Sequence, residues 1–121
     1  MLKSLNSFLT FDMPGFLAGK RLVFIKAHEW KEENSLVGSK IIIQIVEDNT
    51  KYSNPDVSNF GEQLTIKVRG AFPETFNKIK PLTTEVEVVD VERATVYGEY
   101  RNQLSIIAVV KTKGAATTAS N

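Results

Sequence analysis

Three short stretches of this chain set aromatic rings beside cations at spacings that could grip an extended polyanion. The first is Phe24-Ile25-Lys26-Ala27-His28-Glu29-Trp30. In a strand, successive side chains point to opposite faces, so Phe24, Lys26, His28 and Trp30 share one side. The second is Thr65-Ile66-Lys67-Val68-Arg69. Its two cations stand about 7 Å apart along a strand, close to the separation of successive phosphates in a single strand. Tyr97-Gly98-Glu99-Tyr100-Arg101 is the third. Rings offer flat faces on which bases stack, for roughly 1–3 kcal/mol each, while cations meet phosphates without reading sequence. Arginine can do both. The candidate nucleic-acid-binding residues are therefore Lys26, Trp30, Lys67, Arg69, Tyr97, Tyr100 and Arg101. A plainer reading stands beside each. Phe24 and Trp30 can belong to a core or a subunit contact, cross-strand tyrosines stabilise sheets, and neighbouring cations can simply be solvated.

Catalytic chemistry is poorly supplied. The chain has one histidine, His28, and no cysteine. That removes thiol catalysis, disulfides and every cysteine-containing zinc site. It holds no G-x-S-x-G, no phosphate-cradling glycine loop and no paired metal ligands. The acid pairs Glu32/Glu33 and Glu85/Glu87 fall on faces expected to be solvated, where carboxylates keep ordinary pKa values. The expectation is a protein that is not an enzyme, with no metal, no cofactor and no small-molecule substrate. Formal net charge is only +1, so a polyanionic partner would have to be met by a local patch.

The elements that must position these residues read as strands. Gln63-Leu-Thr-Ile-Lys-Val-Arg69 alternates without a break, with Leu64, Ile66 and Val68 on one side. Gly70 ends it. Pro73 then suits the first turn of a helix, Phe72, Phe76 and Ile79 recur at helical spacing, and Pro81 stops the helix after about two turns. Two strands precede this centre: Lys20 to Trp30, with Val23, Ile25 and Ala27 taken as inward, and Lys40 to Val46, with Ile41, Ile43 and Ile45 inward. Two follow it, Thr83 to Thr95, with a bulge expected near Val88-Val89, and Gln103 to Lys113, apolar enough for burial on both faces. That order predicts an all-β fold, a five-stranded OB-fold barrel with one short α-helix between strands 3 and 4. One domain is expected over residues 1–113, with 1–19 packed on the barrel and 114–121 a disordered tail.

The connections carry their own expectations. Lys31 to Ser39 reads as a polar loop beside the ligand groove, and the hairpin Val96 to Asn102 as its counterpart. Glu47 to Glu62 is a long polar loop; Tyr52 and Phe60 within it are either packing plugs or base-stacking fingers. The fourth strand carries Glu85, Glu87, Asp90 and Glu92, so a polyanion should avoid that side. No run approaches the roughly 20 apolar residues of a bilayer span, so no membrane partner is expected.

The whole of Met1 to Lys113 resembles the single-stranded DNA-binding proteins encoded by lactococcal bacteriophages. The likeness lies in length and in KRLVFIKAHEW, SKIIIQIVEDNTKY and QLTIKVRGAFPETFNKIKPL. It implies an OB fold, a homodimer, sequence-independent binding of single-stranded DNA, and work in phage DNA replication and recombination. The site would be the cytoplasm of the infected bacterial host, with replication or recombination proteins as further partners. The uncharged end GAATTASN departs from bacterial relatives, whose acidic, phenylalanine-ended tail recruits partners. The competing expectation is a structural or protein-interaction β-barrel, a virion joint or an inhibitor, whose outward hydrophobes form a protein interface.

Overall fold

The computed structural model describes residues 1–3, 11–98 and 103–113. Five strands carry the fold: β1 (Lys20–Glu32), β2 (Ser35–Asp48), β3 (Gln63–Arg69), β4 (Glu85–Tyr97) and β5 (Gln103–Thr112). The chain is all-β in character, and its one sheet closes on itself in the order β1-β2-β3-β5-β4. Neighbours are antiparallel except β3 and β5, which run parallel and meet at Ile66–Ile106 and Lys67–Ile107. Closure between β1 and β4 is short, with Leu22 opposite Val86 and Val23 opposite Glu85. Two further bonds extend it: Phe24 N donates to the Thr84 carbonyl, and Leu82 N to the Phe24 carbonyl.

Alternation places the core. Ile41, Ile43 and Ile45 of β2, Ile66 and Val68 of β3, Val86 and Ala94 of β4, and Ile106 and Ala108 of β5 fill the interior. Strand β1 departs from the inward set read from its sequence. Leu22 and Phe24 enter the core, whereas Val23 lies on the other face opposite Gln44. Lys26 pairs with Ile42 directly after Phe24 pairs with Ile43, so Ile25 is the extra residue of a bulge. A bulge shifts the phase by one residue. Beyond it Ala27 packs on the core, and Lys26, His28 and Trp30 take the outer face. Phe24 stacks on Phe76 inside, ring centroids 6.3 Å apart.

The element after β3 is smaller than expected. In place of a two-turn α-helix, a 3₁₀ turn covers Pro73–Phe76. Phe76 reaches the core and Ile79 packs against it, but Phe72 is exposed. Pro81 and the Leu82 bond back to β1 leave no room to continue the coil. Lys31 to Ser39 is likewise no loop. β1 and β2 run on to a two-residue turn, Glu33-Asn34, with φ of 51° and 68°, the paired left-handed conformation of a tight hairpin. The β4 bulge falls just beyond the expected place, between Val89 and Arg93.

Among the described residues one short helix precedes the sheet, α1 (Met13–Leu17), capped by the Asp12 carboxylate accepting from Gly15 N. Met13 is in the core, with Phe11, Phe16 and Leu17 packed against it. Lys20 ties this segment down. Its Nζ donates to the Phe16 carbonyl at 2.5 Å and to Thr50 Oγ1 at 2.8 Å, and stands 3.4 Å from Asp48 Oδ1, both charged side chains fully buried. Burial opposes charge on Asp48. The Asn59 backbone N–H, the Tyr52 hydroxyl and Thr50 nonetheless hold its carboxyl well below the usual carboxylate range. Tyr52 is thus a packing plug rather than a stacking finger, whereas Phe60 is exposed. The expected tail at 114–121 lies outside the described residues.

Candidate nucleic-acid interface

The outer face of β1, β2 and β3 is built in cross-strand rows. Lys26, Ile42 and Thr65 form one, His28, Lys40 and Lys67 the next, and Trp30, Gly38 and Arg69 the third. The residues between them, Ala27, Ile41 and Ile66, belong to the core side. Period-two alternation therefore puts four cations, Lys26, Lys40, Lys67 and Arg69, on one curved surface. The second row runs on through Ile107 of β5 to Arg93 of β4, adding a fifth. Among the described residues Lys26, Lys40 and Lys67 make no ion pair with a carboxylate. Arg21, further along β1, is different. It is held by hydrogen bonds to Glu85 and Glu47, which raise its pKa and leave no free cation there.

Tyr97 closes one end of this surface. It is the last residue of β4 and half exposed. With Lys40, Thr65, Lys67, Leu104, Ser105 and Ile106 it lines a cleft of about 270 Å³. A ring, two ammonium groups and two hydroxyls thus converge where β3 and β5 meet. An unpaired base can stack on that ring while its phosphate meets Lys40 or Lys67.

Trp30 has a different role from the stacking platform its position in the sequence suggests. The indole is only 2% exposed, yet it lies outside the core cluster. Lys67 Nζ stands 5.4 Å from the ring centroid and the Arg69 guanidinium carbon 5.1 Å. Gly38, the strand position between Trp30 and Arg69, explains the reach. A Cβ there would stand 1.9 Å from the Val68 carbonyl oxygen, so this position excludes every side chain and the indole meets the guanidinium across bare backbone. Covered in this way, Trp30 offers no open face to a base. Its π-cloud instead holds two cations in place, an interaction of about 0.5–2 kcal/mol depending on desolvation.

Arg69 is also paired. Its Nε donates to both carboxylate oxygens of Glu92, each at 3.1 Å. The acidic fourth strand therefore does not keep to its own side: Glu92 reaches the cation face. Tyr100 and Arg101 lie outside the described residues. Of the other expected residues, the fold brings Lys26, Lys67, Arg69 and Tyr97 to one surface and puts Trp30 beneath two of them. Sequence reasoning passed over Lys40 and Arg93. Lys40 had a signal, the outward phase of the Ile41-Ile43-Ile45 pattern. Arg93 had none, because the bulge before it hides the phase.

Among the described residues no helix is long and apolar enough to cross a membrane. No three His, Asp or Glu side chains among them cluster so as to hold a metal ion. No family model matches the chain, and neither a curated protein nor a solved structure matches it.

Proposed function

We propose that the closed five-stranded sheet is an OB fold and that the chain binds single-stranded DNA without reading its sequence. Support for the fold comes from the strand order, with β3 and β5 parallel and a short 3₁₀ turn between β3 and β4. One observation carries the function: Lys26, Lys40, Lys67 and Arg69 share the outer face of β1 to β3, with the exposed ring of Tyr97 at its end. The cations meet phosphates and Tyr97 takes an unpaired base, which a duplex cannot supply. In keeping with the resemblance above, this activity serves phage DNA replication and recombination in the host cytoplasm, with the chain acting as a dimer.

The test is fluorescence anisotropy of a labelled oligothymidine titrated with the protein at about 50 mM and about 300 mM salt. Binding that weakens linearly on a log–log plot against salt, and that unlabelled duplex competes for poorly, is the expected result. No binding at the lower salt with tens of micromolar protein would overturn the reading.

A further inference from the structure

Among the described residues Glu92 is the one carboxylate ion-paired with a cation of this face, and a bulge in β4 stands where it leaves the strand. Val89 pairs with Val109 and Arg93 with Ile107, so Asp90, Val91 and Glu92 all stand opposite the single residue Ala108. Asp90 adopts φ of 49°, a conformation few non-glycine residues take up. Strand β5 lies between β4 and β3 in the sheet, yet the bulge carries Glu92 across to Arg69 at the end of β3. A bulge of this kind re-aims a side chain.

The contact is built to exchange. Both side chains are about half exposed, 49% for Arg69 and 55% for Glu92. Only Nε of the guanidinium is engaged among the described residues, and Trp30 supports the group from the sheet side. A carboxylate and a phosphate present the same oxygen pair to arginine. We infer that Glu92 occupies, in the free chain, the place on Arg69 that a backbone phosphate takes when a single strand binds, and so sets the affinity of the face by competition. This inference rests on the reading of the face as a single-strand site.

Counterion arithmetic makes it measurable. A lysine of this face that meets a phosphate releases the cation that phosphate had condensed. When Arg69 exchanges Glu92 for a phosphate, the freed carboxylate attracts a cation as the phosphate loses one, so the pair adds little to the salt dependence. Glu92→Gln keeps the side-chain shape and removes the competitor. Its expected effect is about two- to fivefold tighter binding of oligothymidine at low salt, the span of an exposed ion pair. The slope of log affinity against log salt should steepen by about 0.7, the share of one single-strand phosphate.

Two further variants identify the cause. Glu87→Gln alters net charge equally at a residue that faces Lys111 and lines the cleft beside Met13, away from Arg69. It should leave affinity unchanged. Adding Arg69→Ala to Glu92→Gln should abolish the gain. Wild-type protein that binds while Glu92→Gln binds equally or more weakly overturns the inference and leaves the single-strand reading standing. An equal gain in Glu87→Gln, or a gain that survives Arg69→Ala, overturns it too. Wild-type protein that fails to bind at low salt removes the reading and the inference together.

Discussion

Two places among the described residues bring a cation, an aromatic ring and a carboxylate together, and they differ in access to water. At the first, Lys20 Nζ lies 4.2 Å from the Phe16 ring centroid and 3.4 Å from Asp48, with both charged side chains fully buried. At the second, Arg69 lies 5.1 Å from the Trp30 centroid and 3.1 Å from Glu92, with both charged side chains half exposed. A buried charge that loses its partner cannot turn to solvent, so the Lys20 corner locks α1, β1, β2 and the following loop together. An exposed charge can change partners at small cost, so Arg69 is able to take a ligand. The same three groups make an anchor in one setting and a contact in the other.

The largest way to break this comparison is to remove the buried cation. Lys20→Met should leave Asp48 charged and unpaired and lower unfolding free energy by about 3–5 kcal/mol, read by urea denaturation. A loss no larger than that of an exposed pair would erase the distinction. Acid should then act on the anchor through Asp48. Its pKa is lowered by folding, so its stabilisation is complete above the unfolded aspartate value near 3.9 and fades as pH falls through the folded one. Denaturation midpoints between about pH 5 and about pH 2 should fall more steeply in wild type than in Asp48→Asn, since Glu47, lowered by hydrogen bonds from Asn49 and Arg21, and Glu85, lowered by Arg21, are common to both.

The open site should show the reverse pattern. Lys67→Ala with Arg69→Ala should weaken oligothymidine binding by roughly tenfold and flatten the salt slope by about 0.7, the share of the phosphate that Lys67 meets, since Arg69 only trades Glu92 for its phosphate. Its unfolding free energy should drop by about 1–2 kcal/mol, the cation–π contacts on Trp30 and the exposed Glu92 pair together, and so by less than in Lys20→Met. Binding unchanged in that double variant would remove both residues from the site.

Much of the scaffold was legible. The unbroken alternation of Gln63 to Arg69 and the spaced isoleucines of β2 put the right residues inside, because a strand has only two faces. The turn to Pro81 was legible only as apolar spacing, which a two-turn helix and a 3₁₀ turn satisfy alike over so few residues. Phe24 and Trp30 were the hardest to read. They sit in one alternating phase, and only a bulge at Ile25, formed as β1 curves round the closing sheet, sends the first into the core and leaves the second outside.

Residue order by itself determined which side chains alternate, and hence that Lys67 and Arg69 stand together and that catalytic groups are scarce. Tertiary structure alone decided that Trp30 lies under those cations across Gly38, that Tyr97 shares their cleft, and that Glu92 arrives from a strand that is not β3's neighbour in the sheet. The reason is that alternation is a local property of one strand. Bulges and closure of the sheet depend on every strand at once, and they set which faces finally meet.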